Sequence, residues 1–372
     1  MRIAVLTSSR ADFGIYLPLL KKIREDVFFS LDIIAFGTHL SSFHGETINQ
    51  IKEAGFVVAH RIESILLTDS AESIATSMGL TTIKFAQFWS KNCDTFDLVL
   101  CLGDRYEMFA AITSGIPFNI KFGHLHGGET TTGAIDNIFR HGITLASKYH
   151  FVSTTQYADK VAQLTGSTAN IYSVGAMSLD NLNDIELLSI ADFKNKWHID
   201  LSKKTVLTTF HPETVNMHHN IYFTEQLIKV IKNDMRYQFL ITMPNADTSG
   251  NVIRKMLTRE LQDLDKVFLI ENLGSQSYFS AMKYCSFLMG NTSSGIIEAA
   301  TFGKYVINLG DRQQGRACGN NVLQVPIIAE EIQKAIESLS DIRDYQGENI
   351  YYKNDSSGSV IKILKEISSH AK

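Results

Sequence analysis

What most limits the folds open to this chain is a pattern that runs through its first half and then begins again in its second. Short apolar runs rich in β-branched residues recur, most of them ending in small or polar turn residues: IAVLTSS (3–9), LDIIAFG (31–37), DLVLCLGD (97–104), KFGHLHGG (121–128), YHFVST (149–154) and NIYSVG (170–175). Unbroken apolar runs of this length suit strands buried on both faces, as in a parallel sheet covered by helices. Between them lie segments with helical spacing of apolar residues, such as 16–24 and 81–90. Strand and helix therefore alternate as in a doubly wound sheet. After a polar stretch near 183–203 the pattern restarts with KTVLTTF (204–210), YQFLITM (237–243), VFLIEN (267–272), CSFLMGN (285–291) and YVINLG (305–310).

The expected fold is thus α/β, with two Rossmann-like domains facing a central cleft. The expected boundaries are 1–180 for the first domain and 181–357 for the second. A C-terminal helix over 358–372 should pack back across the domains, because Val360, Ile361, Ile363, Leu364 and Ile367 share one helical face. A length of 372 residues agrees with two cores of ordinary size. Neither a short-period repeat nor a low-complexity linker is evident.

The formal net charge of -4 offers no broad basic field, which argues against nucleic acid as a partner. Cys93, Cys101, Cys285 and Cys318 stand far apart without metal-ligand spacing, so neither disulfides nor structural zinc are expected. The N-terminal apolar run is too short for a signal peptide or a membrane span. The expected setting is the cytoplasm, with no membrane partner.

Polar clusters follow the expected strands, where an open parallel sheet presents its loops to a ligand. After the first strand, Ser8-Ser9-Arg10-Ala11-Asp12-Phe13-Gly14 combines a small-residue turn with a fixed cation at a helix start. Two readings stand: an anion site made of free N–H groups and Arg10, or a plain turn capped by Asp12. No GxGxxG string occurs here, which disfavours a dinucleotide cofactor. Asp104, Glu129 and Asp136 fall on one rim, where mutual repulsion would divide acid and base roles among them. Asp136 and Arg140 are also spaced for an intrahelical ion pair. Of His124 and His126, one is expected to be a satisfied core histidine.

In the second half, Phe210-His211-Pro212-Glu213 and Pro244-Asn245 each end a strand. Gly290-Asn291-Thr292-Ser293-Ser294-Gly295 joins strand to helix, with Glu298 about a turn further on. Hydroxyls and free N–H groups there suit a phosphate, and the carboxylate suits a ribose diol. The P-loop lysine is missing, so phosphate recognition without an obligatory metal is the natural reading. Gly310-Asp311-Arg312-Gln313-Gln314-Gly315-Arg316 supplies two cations, either for a diphosphate or for solvent.

The strings SSRADFG, GDRYE, HGGE with Asp136-Asn137 and Arg140-His141 behind it, FHPET, GNTSSG and GDRQQGR span residues 7–316. In order and spacing they resemble the hydrolysing UDP-N-acetylglucosamine 2-epimerases, in the bacterial branch serving sialic-acid and legionaminic-acid synthesis. The non-hydrolysing relatives resemble GTRPEAIK where this chain has SSRADFGI, and carry an HVEAG-like string where it has HGGE. The resemblance implies a glycosyltransferase-B-type fold, a homo-oligomer, and no NAD, catalytic metal or other cofactor. It places Arg10, Arg105, Asn245, Thr292, Ser293, Ser294, Glu298 and Arg312 around the UDP-sugar. Asp104, Glu129, Asp136 and His211 are the catalytic candidates it implies.

The C-2 proton of such a sugar lies beside an amide rather than a ketone, so its removal must be coupled to departure of UDP. On this reading Asp104 takes the proton, while His211, Arg10 and the turn after Asn291 stabilise the leaving diphosphate. Glu129 and Asp136 then hydrate the resulting glycal, giving the free manno sugar. A UDP-sugar glycosyltransferase would share the phosphate loop without needing three acids. A nucleotide-sugar sensor would need none of them. UDP-N,N'-diacetylbacillosamine is the alternative substrate.

Overall fold

The computed structural model describes residues 1–42, 45–66, 70–131, 135–183, 185–213, 219–244 and 250–370. The chain divides into two compact units, one formed by residues 1–129, 136–183 and 353–372, the other by 130–135 and 184–352.

The first unit is built on strands β1 (Arg2–Thr7), β2 (Ser30–Phe36), β3 (Val58–Ile62), β4 (Leu98–Leu102), β5 (Phe122–Leu125), β6 (Tyr149–Val152) and β7 (Ile171–Ser173). They form one parallel sheet in the order β3-β2-β1-β4-β5-β6-β7. Alternation along β1 shows why its run is apolar throughout. Ile3 and Val5 enter the core on one face, and Ala4 and Leu6 enter the core on the other. The sequence reading missed β3, because VAHRI alternates half-buried and exposed residues at the sheet edge and has no continuous apolar run.

In the first face's core, the helix Arg10–Glu25 buries Phe13, Tyr16, Leu19, Leu20 and Ile23. The C-terminal helix Ser356–His370 packs on it and on the helix Met177–Asn183, adding Val360 and Leu364 to the same core. The buried carboxylate of Asp180 fixes its start by accepting the N–H groups of Ser356 (3.0 Å) and Ser357 (2.6 Å).

The second unit repeats the plan with β8 (Thr205–Thr209), β9 (Gln238–Thr242), β10 (Val267–Ile270), β11 (Phe287–Gly290), β12 (Val306–Leu309) and β13 (Val322–Val325). These strands are parallel, in the order β10-β9-β8-β11-β12-β13. Again an edge strand, β13, escaped the sequence reading, its VLQV being half-exposed. In each sheet the strand order reverses once beside the first strand, between β1 and β4 and between β8 and β11. Those reversals open a crevice at the carboxyl ends of the strands, where ligands of such sheets bind. Among the described residues no helix is long and apolar enough to cross a membrane.

The turn after β1 illustrates how tightly one such end is built. Asp12 accepts bonds from Thr7 Oγ1 (2.6 Å), Ser8 N (2.8 Å), Ser8 Oγ (2.9 Å) and Ser9 N (3.0 Å), while Ser9 caps the helix. Burial pushes the Asp12 carboxyl up, but His39, Thr7 and Ser8 outweigh it and hold the group below the usual carboxylate range. A depressed carboxyl stabilises the fold above its unfolded pKa and loses that contribution as pH falls through its folded value. Asp12→Ala should therefore lower unfolding free energy by about 2–4 kcal/mol at pH 7, since several buried donors lose their acceptor. In urea titrations the gap between the variant and the parent should shrink as pH drops below 3.8. A gap that is constant with pH would remove the carboxylate charge from the explanation.

Candidate active site

At the carboxyl end of β1 the backbone N–H groups of Ser8 and Ser9 turn to the Asp12 carboxylate. The cap by Asp12 is therefore present, and it takes up the N–H groups of Ser8 and Ser9 but not the Arg10 guanidinium. Arg10 stands exposed at the first position of the helix.

The loops after β4 and β5 carry the acidic cluster. Asp104 follows β4, and its Oδ2 forms an ion pair with Nη2 of Arg140. Arg140 rises from the helix Asp136–Ala146, is 3% exposed, and donates from Nη1 to the carbonyl oxygen of Glu129 at 2.9 Å. One buried guanidinium thus joins the two loops. Three bare carboxylates repelling one another were expected; instead, Arg140 pairs with Asp104 and Glu129 hydrogen-bonds an imidazole. Asp136 opens the same helix, partly exposed, one turn before Arg140. Arg105 is turned to its own helix, where Nε and Nη2 donate to the buried Glu107 carboxylate at 3.2 and 3.0 Å.

The two histidines of this region divide as expected, one of them a core residue. His124 lies on β5, fully buried, with Nε2 2.9 Å from the Gly103 carbonyl and Nδ1 3.1 Å from Thr144 Oγ1. Since a carbonyl only accepts, Nε2 carries the proton and Nδ1 accepts the Thr144 hydroxyl. Burial pushes its pKa down to about 3, so it is a neutral core histidine. His126, two residues on, would share that face in an ideal strand. Its φ of 61° breaks the register and turns it toward Glu129, whose Oε1 is 3.0 Å from Nδ1. Glu129 is buried and also accepts from Ser153 Oγ at 3.2 Å.

In the second unit the ends of β8 and β11 are tied by one side chain. Asn291 Oδ1 accepts the His211 N–H (2.7 Å) and its Nδ2 donates to the His211 carbonyl (2.8 Å). The Asn291 carbonyl in turn accepts from Arg312 Nη1 (3.1 Å) and Gln313 Nε2 (2.9 Å). Buried Glu213 accepts the Asp311 N–H at 3.0 Å, so the FHPE and GDR strings brace each other. Burial, and then the charge of Arg312, lower the pKa of His211 to about 4. At pH 7 it is a neutral imidazole, and its buried Nδ1 has no hydrogen-bond partner among the described residues.

Thr292 caps a helix of only five residues, Ser293–Ile297, by accepting the Ser294 N–H at 3.3 Å. The hydroxyls of Thr292, Ser293 and Ser294 therefore share one turn, with the buried Glu298 at its far end. Tyr278, which the sequence offered no reason to single out, brings its hydroxyl to Ser294 and Thr209 from the helix Gly274–Tyr284. Asn245 lies outside the described residues.

Comparisons with known proteins follow the same lines. The model of a family described as UDP-N-acetylglucosamine 2-epimerase matches residues 21–365. The polysialic acid biosynthesis protein P7 of Escherichia coli is 31% identical over 98% of this chain and 94% of its own length. A UDP-N,N'-diacetylbacillosamine 2-epimerase (hydrolyzing) of Legionella pneumophila is 30% identical over 100% of this chain and 97% of its own. The crystal structure of UDP-GlcNAc 2-epimerase from Neisseria meningitidis bound to UDP-GlcNAc has the same fold. It matches with a TM-score of 0.81 over 98% of this chain and 100% of that one, at 16% identity. Two Rossmann-like units, the likeness to that structure and a family match across most of the sequence agree: the chain belongs to the UDP-N-acetylglucosamine 2-epimerase family.

Proposed function

We propose that this protein is a hydrolysing UDP-sugar 2-epimerase that converts UDP-N-acetylglucosamine and water into UDP and N-acetylmannosamine, for nonulosonic (sialic) acid synthesis. The observation that carries the reading is Asp104 at the switch point of the first sheet. One of its oxygens is held by buried Arg140, and Oδ1 has no bond among the described residues. Such a carboxylate is oriented and has an oxygen open to a substrate proton. It takes the proton from C-2 as the C-1–oxygen bond breaks and the electron pair leaves with UDP. His211, Arg10 and Arg312 steady the departing diphosphate. Arg105, Asn245 and the hydroxyls of Thr292, Ser293 and Ser294 contact the nucleotide sugar, and Glu298 takes the ribose. Glu129 and Asp136 serve the hydration of the glycal that remains. The reading includes a cytoplasmic homo-oligomer without a bound cofactor.

UDP-N,N'-diacetylbacillosamine is a second reading of the substrate, favoured by the Legionella pneumophila relative, a UDP-N,N'-diacetylbacillosamine 2-epimerase (hydrolyzing). Side-by-side kinetics on the two sugars decide between them. The reaction class is tested by incubating the protein with UDP-N-acetylglucosamine in D₂O and following the NMR spectrum. UDP, free N-acetylmannosamine and deuterium at C-2 are expected. Sugar released without deuterium would instead mark simple hydrolysis or transfer.

A further inference from the structure

We infer that the imidazole of His126 is a catalytic acid of the hydration step, and that Glu129 acts through it as a positioning residue. The inference deepens the function proposed above and rests on it.

Three observations converge on His126. First, its backbone is left-handed at φ 61°, a conformation costly for a side chain with a Cβ. The bond from its N–H to the Phe151 carbonyl (2.9 Å) pins it there, just beyond β5. Second, Nδ1 lies 3.0 Å from Glu129 Oε1, and a carboxylate oxygen only accepts, so Nδ1 carries a proton. Glu129 is itself held by Ser153 Oγ and, through its carbonyl, by Arg140. Third, Nε2 is buried and has no hydrogen-bond partner among the described residues. Leaving a buried ring nitrogen unpaired is costly. His124, two residues away, has both nitrogens bonded.

Position completes the case. Leu125 of β5 pairs with Leu102 of β4, so His126 and Asp104 stand at the same edge of the sheet, and Arg140 binds both loops. Epimerisation by elimination and addition needs one group to take the C-2 proton from one face and another to return a proton to the opposite face. Asp104 Oδ1 and His126 Nε2 are two such atoms. In the hydration step the Nε2–H bond of the imidazolium breaks and its proton goes to C-2. Water oxygen bonds to C-1 and gives up a proton to Asp136. His126 is left neutral, with Nδ1–H still on Glu129. Of the two protons then held by Asp104 and Asp136, one reloads His126 and the other leaves with UDP or solvent.

His126→Asn separates catalysis from structure: asparagine tolerates a left-handed backbone, and its amide can still donate to Glu129, but nothing replaces Nε2. Turnover should drop by roughly 10²- to 10⁴-fold. The unsaturated sugar should accumulate beside UDP. Glu129→Gln should lower kcat with KM little changed, because the imidazole loses the carboxylate that orients it while the contacts proposed to hold the UDP-sugar remain. His126→Gly should be inactive and regain turnover when imidazole is added. If the parent makes the deuterated epimer while the Asn variant stays within about threefold of it, the role of His126 is overturned and the proposed function stands. A Gly variant that is inactive and deaf to imidazole overturns it as well. A parent that makes no epimer defeats both.

Discussion

Asp104→Asn is expected to lower turnover of UDP-N-acetylglucosamine by roughly 10²- to 10⁴-fold, with UDP affinity little changed. Asparagine has the shape of aspartate and still offers an oxygen to Arg140 Nη2, so the loops after β4 and β5 stay joined through the Glu129 carbonyl. What it cannot do is take a proton from carbon. The residues proposed to hold UDP sit largely in the second unit, on the turns after β8, β11 and β12. Calorimetric titration with UDP should therefore give a dissociation constant within a few-fold of the parent. The variant also leaves a buried cation short of its counter-charge. Asp104 is 28% exposed on its side chain, which moderates the penalty, and a loss of about 1–3 kcal/mol of stability is expected. A fully active Asn variant would take the base role away from Asp104.

Gly290→Ala should be the most damaging small substitution in the second unit. A Cβ at this position would stand 2.0 Å from the Thr209 carbonyl oxygen and 2.8 Å from its carbonyl carbon. Both are main chain of the neighbouring strand β8, and neither can move aside as a flexible side chain would. The backbone φ of 150° is also one that residues with a Cβ rarely adopt. The close approach brings Asn291 within reach of the His211 backbone, on which the geometry of the β8 and β11 ends depends. A destabilisation of about 4 kcal/mol or more is expected. Thermal unfolding followed by circular dichroism measures it. An Ala variant melting within a few degrees of the parent would mean that the strands can separate without cost.

How much of this could be seen in the sequence differs from element to element. The central strands of both sheets were legible because burial on two faces forces every residue of IAVLT or VLTT to be apolar or small. The edge strands β3 and β13 were not, since VAHRI and VLQV are half-exposed and mix polar residues into the run, unlike the edge strand β10 with its apolar VFLI. Clusters such as HGGE and GNTSSG could be placed at strand ends by order alone. The partners of their side chains could not. Arg140 lies 36 residues from Asp104, and His211 lies 80 from Asn291, and no local rule joins residues that far apart.

The sequence by itself determined the α/β class, the doubling of the strand–helix pattern and the positions of the polar turns, because each follows from periodicity over a few residues. Only the tertiary structure decided which acids have partners. The same string that reads as three carboxylates on a rim becomes one carboxylate paired with a buried arginine and another turned to a left-handed histidine. Those pairings depend on where β4, β5 and the helix Asp136–Ala146 lie in space. The local pattern that makes each of them fold carries no record of that distance.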